Sequence, residues 1–241
     1  MNATSLRFRQ VIAAGLLAAA ASAGATDVSR APVPSDIADG VVQVAQRRLH
    51  LPPGHWVLAA RVEVETVGRK QRTSTGVQAW IARVDDGQLG ALMKLSLPTE
   101  DFQNVHQTSE NRCPEEDGIQ KADLSENPRL PECLGIYGHR DLAQAMAARE
   151  PAVLAWMTLA KVANPGPVVR FTYRQRTDFS YGGISLYLPT SHFESDDVAV
   201  IWANRVRDAC RPLFEGRSRD AELPNPPTAP TAPTTGEAPA N

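Results

Sequence analysis

Arg170, Thr172, Arg174 and Arg176 recur at every second position after Pro167, interleaved with Val169, Phe171 and Tyr173. A strand repeats every two residues, so this spacing puts the polar set on one face and the apolar set on the other. Guanidinium groups arrayed on a sheet suit a phosphate or a carboxylate, because the planar fork donates two hydrogen bonds at once. Arg170, Arg174 and Arg176 are therefore the candidate ligand-binding residues, with an anion such as a phosphate or an acidic glycan as the ligand. The commoner case, and the favoured expectation for this face, is a solvated sheet surface whose arginines pair across strands with Glu63 and Glu65.

The three cysteines, Cys113, Cys133 and Cys210, are the next reactive set. Cys113 and Cys133 flank a segment rich in Pro, Asp, Glu and Asn, and a disulfide between them would close it, for about 3 kcal/mol on the chain-entropy estimate. Cys210 falls in a predicted helix and reads as a buried thiol. Pairings of Cys210 with Cys113 or with Cys133 remain the alternatives. A zinc site from Cys113, Cys133 and His139 is disfavoured, because neither C-x-x-C nor H-x₃-H spacing occurs.

The histidines are His50, His55, His106, His139 and His192, and none has helical metal-ligand spacing. Neither G-x-S-x-G nor S-x-x-K is present, so the nucleophiles these motifs position are not announced. Ser185, His192 and Asp196 supply the residue types of a hydrolytic triad, though any chain of this size offers similar sets. Tyr181-Gly182-Gly183-Ile184-Ser185 reads as a strand where glycine admits a close neighbour. A P-loop and a dinucleotide-binding glycine pattern are both missing, and no cofactor is expected.

The elements that must position these residues follow from periodicity. Residues 56–66 alternate cleanly, with Trp56, Leu58, Ala60, Val62 and Val64 on one side. Residues 76–85 and 89–97 form two more strands about Asp86-Gly87, a hairpin turn whose residues tolerate positive φ. Residues 168–176 and 179–188 make a second hairpin around Thr177-Asp178. Residues 140–150 and 152–163 read as helices, the second apolar nearly all round and so buried. Residues 196–214 form a long helix capped by Ser195 and stopped by Gly216, with Val198, Ile201, Trp202, Val206, Ala209 and Leu213 as its apolar stripe. Residues 35–48 lean toward a helix capped by Ser35 or Asp36, although Val42 and Val44 also fit a strand. Residues 101–139 look irregular. Trp80 and Leu92 imply either an exposed apolar patch or a second core beneath helices. The sum is an α+β domain: an antiparallel sheet of five or six strands, in two hairpin or meander units, covered by two or three helices.

Leu51-Pro52-Pro53-Gly54-His55-Trp56 resembles the openings of some exported bacterial proteins, a likeness of six residues that implies no activity.

The ends speak of location. Arg7 and Arg9, a short apolar run at 11–21 and the small residues Ala21, Ala23 and Ala25 have the three parts of a signal peptide over 1–25. A linker at 26–35, a single domain at 36–216 and a disordered tail rich in Pro, Ala and Thr at 217–241 complete the expected organisation. The apolar run is shorter than the about 20 residues of a membrane span, and no later stretch is apolar enough. Beyond the leader, 23 basic residues face 27 acidic ones, a net charge of −4, which speaks against nucleic-acid binding. Arg outnumbers Lys 21 to 4, a bias that a GC-rich bacterial genome accounts for. These features point to a periplasmic or secreted protein that binds an anionic ligand or an envelope protein without catalysis. A periplasmic hydrolase with a site assembled from dispersed residues is the alternative.

Overall fold

The computed structural model describes residues 24–67, 73–100, 113, 118–126, 130–139, 141–147, 150–177 and 181–227. The expected signal peptide lies almost wholly outside the described residues.

In chain order the first strands are β1 (Thr26–Asp27), β2 (Ser35–Asp36), β3 (Val41–Val44), β4 (Arg47–His50), β5 (Trp56–Val67), β6 (Thr73–Asp85) and β7 (Gln88–Pro98). They are followed by β8 (Gln120–Asp123), β9 (Glu132–His139), β10 (Val168–Arg176), β11 (Tyr181–Pro189) and β12 (Asp220–Glu222). The helices are α1 (Leu142–Ala147), α2 (Pro151–Ala160) and α3 (Asp196–Phe214).

Eight strands form one antiparallel sheet in the order β2-β5-β6-β7-β11-β10-β9-β8, and β1-β3-β4-β12 form a second, smaller one. The α+β class and the β5–β7 meander agree with expectation. The five or six strands do not, and β9 shows why. Its residues from Glu132 to Tyr137 are all buried, so neither face carries the polar half of an alternating pattern, and two glycines interrupt it. It sits between β8 and β10, inside the stretch expected to be irregular.

The helix expected at 35–48 is also corrected. Asp39, Gly40 and Ala45 all adopt positive φ, which an α-helix does not allow. Between them Val42 and Val44 bury as alternate strand residues and pair antiparallel with β4. Asp86 and Gly87, by contrast, hold the positive φ values (51° and 77°) that their hairpin turn requires.

The main sheet is covered on both faces. On one, Leu58, Ile81, Met93, Leu186 and Phe171 pack with Trp202, Val206 and Leu213 of α3 and with Val42, Val44 and Leu49 of the small sheet. Gly182 lies here because any Cβ would sit 2.2 Å from the Phe214 ring. On the other, Ala60, Trp80, Ala82, Leu92 and Tyr187 pack with Leu142 and Met146 of α1 and Val153, Trp156 and Met157 of α2. Trp80 and Leu92 thus belong to a second core under helices.

Both helical stripes are narrower than their sequences imply. Leu159 of α2 is 84% exposed and Ile201 of α3 is 56% exposed. Ser195 caps α3 by accepting from the Val198 amide, and Gly216 takes positive φ beyond its end.

The tail expected from residue 217 begins as ordered chain. β12 pairs parallel with β4 and Leu223 is buried. The Asn225 carbonyl then accepts from Trp202 Nε1 at 2.8 Å. Residues 228–241 lie outside the described residues.

Candidate functional site

Among the described residues, the helices α1 and α2 cover only part of their face of the main sheet. The uncovered part is a cavity of about 380 Å³, and the strand registers explain its shape. One transverse row runs Gly135, Thr172, Ser185, Lys94, Trp80 across β9, β10, β11, β7 and β6. The next row runs Cys133, Arg174, Gly183, Ser96, Gln78. A third row, on the side of the helices, begins Tyr137, Arg170, Tyr187, Leu92. Because side chains alternate, all three rows face the same way. Thr172, Ser185, Gly183 and Ser96 are short and make a floor. Tyr137, Arg170, Arg174, Tyr181 and Lys94 are long and make the walls.

Gly135 completes the recess by a close approach. A Cβ there would lie 2.4 Å from the Tyr137 hydroxyl, so only glycine lets that ring lie down against the sheet.

Charge in the recess is mostly positive. Arg170 is 7% exposed, and its guanidinium lies 4.3 Å from the Tyr137 ring centroid, a cation–π contact that fixes its direction. Lys94 Nζ lies 4.8 Å from the Trp80 ring centroid and donates to Glu150 Oε1 at 2.7 Å. Glu150 precedes α2, where Pro151 starts the helix. Arg174 is exposed and its stem runs beside Gly183, its Cγ 3.4 Å from where a Gly183 Cβ would be; it forms no ion pair among the described residues. Three cations and one carboxylate therefore line this wall-and-floor arrangement. Thr172 and Ser185 share a hydrogen bond of 3.2 Å. Burial pushes the Tyr181 phenol above its ordinary value, opposed by the Arg47 charge, so its proton stays on at neutral pH.

The candidate arginines divide. Arg170 and Arg174 reach the cavity; Arg176, at the end of β10, is not among its lining residues. The expected pairing with Glu63 and Glu65 is corrected. Those residues lie on β5, which β6, β7 and β11 separate from β10. Glu63 is also in register with Val77 rather than Gln78, which puts it on the opposite face. Lys94, Glu150 and Tyr137 were not legible as site residues. The one signal was Lys94, a charge inside the apolar run Leu92-Met93-Lys94-Leu95.

Cys113 and Cys133 form a disulfide, and Cys210 is a buried free thiol. With both cysteines oxidised, the alternative use of Cys113, Cys133 and His139 as metal ligands falls away. Of the dispersed set, Ser185 Oγ pairs with Thr172 Oγ1 and His192 Nδ1 with the Pro227 carbonyl. Among the described residues the cavity lining contains neither histidine nor cysteine. No helix among the described residues is long and apolar enough to cross a membrane.

Compared with family models, with curated proteins and with solved structures, the chain matches none.

Proposed function

We propose that this chain is an exported, non-catalytic binding protein whose sheet-face cavity holds a small anionic ligand. The observation that carries the reading is the convergence of Arg170 and Arg174 from one strand with Lys94 from another onto a single recess, where the one carboxylate among the described lining residues, Glu150, is already bonded to Lys94. In a chain of net charge −2, this local excess of cations between low-dielectric walls concentrates an anion. Cavities of about 300–1,000 Å³ are the usual size for small-molecule sites. Export is supported by the leader-like residues 1–25 and by the Cys113–Cys133 bond, since disulfides persist in oxidising compartments.

The test is a thermal-shift and calorimetric screen of the secreted protein against small organic and inorganic anions. A ligand bound at about 100 times its Kd adds roughly 2.7 kcal/mol to stability, and the shift should vanish in the Arg170→Met/Arg174→Met double variant. Failure of every anion to bind the folded protein overturns the reading. The exported form should begin at Gly24 or Thr26, which intact-protein mass measures; material that retains Met1 removes the export part.

A further inference from the structure

We propose that the ligand of this cavity is a polyhydroxy carboxylate, a sugar acid of the uronate or aldonate type. The inference rests on the anion-site reading and adds the ligand's class. A bare sulfate presents only acceptors, and inorganic phosphate at neutral pH adds at most one or two hydroxyl donors on the same small ion. This recess is built differently. Besides its cations it offers Ser96, Thr172, Ser185 and Gln78, each able both to donate and to accept. It also offers the Glu150 carboxylate, which accepts only and repels a second negative charge. A simple inorganic ion would leave most of the 380 Å³ unfilled. What fits is one anionic group with several hydroxyls beside it.

The two ends of the recess have different tasks. Arg174 makes no ion pair among the described residues and faces Gly183, so its fork is the one that takes the carboxylate in two parallel hydrogen bonds. Lys94, which holds Glu150, is on β7, two strands away from β10, a separation of about 10 Å between backbones. As a bonded pair, they present a donor and an acceptor side by side, which matches a hydroxyl that accepts from the ammonium and donates to the carboxylate. Between them Thr172 and Ser185 meet the middle of the ligand. A free sugar acid and the acidic end of a polysaccharide share this chemistry.

Calorimetry on the secreted, oxidised protein decides it, with glucuronate, galacturonate and gluconate as probes, and with glucose and inorganic phosphate as controls. At least one acid should bind ten-fold or more tighter than glucose and than phosphate. Arg174→Met should bring that acid down to the level of glucose, and Arg174→Lys should restore part of the difference. Glu150→Gln should weaken both acid and sugar, with circular dichroism and melting curves showing each variant folded. Trigalacturonate alongside galacturonate separates a chain end from a free monomer. Phosphate binding more tightly than every acid would overturn the sugar-acid assignment and leave the anion site standing. Glucose equal to the acids, with Arg174→Met silent, would overturn both, whereas no binding by any of these probes would overturn the sugar-acid assignment and leave the anion site to the wider screen.

Discussion

Arg211 Nη2 donates to Glu132 Oε2 at 3.0 Å, joining the last turns of α3 to the first residue of β9 across 79 positions of sequence. Glu132 is buried, and a carboxylate in that position must be supplied with donors. Its other oxygen lies 3.1 Å from the Tyr173 hydroxyl. Arg211 also reaches Glu215, which accepts from Gln175 at 2.7 Å. Burial first, then the Glu132 charge, pushes the Tyr173 phenol far above its ordinary value. The network lies on the face of the sheet opposite the cavity and holds α3 against β9 and β10.

Arg211→Met should therefore leave Glu132 without its cation. Breaking a fully buried pair costs about 3–5 kcal/mol. The Arg211 side chain is 40% exposed, so a loss of roughly 2–3 kcal/mol is expected. Urea denaturation measures it. Adding Glu132→Gln to that variant should recover part of the loss, because the carboxylate left without its cation is then neutral. A single variant as stable as the parent would show that the network does not secure α3.

Trp202 is 4% exposed, meets the Phe171 ring edge-on at 4.9 Å between centroids and donates to the Asn225 carbonyl. Trp202→Ala should cost about 3–5 kcal/mol and release the chain after β12. Among the described residues Arg207 pairs with its neighbour Asp208 alone, so Arg207→Ala should cost less than about 1 kcal/mol. Melting curves of the two variants should separate by many degrees. Equal, mild effects would mean that α3 is not docked by its apolar stripe.

Replacing both Cys113 and Cys133 by Ser should lower stability by about 3 kcal/mol through the freer unfolded chain. In the folded parent Cys210 should resist thiol reagents, because burial pushes its thiol up to about 12 and hides it. Denaturation should release one titratable thiol. A Cys210 disulfide in a non-reducing peptide map would contradict this.

Acid should destabilise the fold. Burial raises Glu215, but hydrogen bonds from Gln175 and Arg217 and the charges of Arg217 and Arg211 outweigh it and hold the carboxyl below its ordinary value of 4.5. A folded-state value below the unfolded one contributes stability that is fully present above the unfolded value. That stability is lost as pH falls through the folded value. Asp220, lowered chiefly by its bond from Arg48, acts in the same direction. Melting temperature should drop between about pH 5 and pH 3, and the drop should be shallower in Glu215→Gln. An identical slope in that variant would remove Glu215 from the account.

What the sequence determined by itself was local. The turn at Asp86-Gly87, the cap at Ser195, the bounds of α3 and the alternation in β5 and β10 depend on neighbours within a few residues. Steric and hydrogen-bond preferences at that range are written in residue type. The arginine repeat on β10 was legible for the same reason. Tertiary structure decided what that repeat faces. Strand order placed Glu63 and Glu65 on a distant strand and on the other face. It brought Lys94 and Glu150, 56 positions apart, into one ion pair. It also buried both faces of β9, erasing the alternation that marks a half-exposed strand. The recess exists because short residues on four strands fall into adjoining rows, and register between strands is set by the packing of whole faces rather than by any one segment.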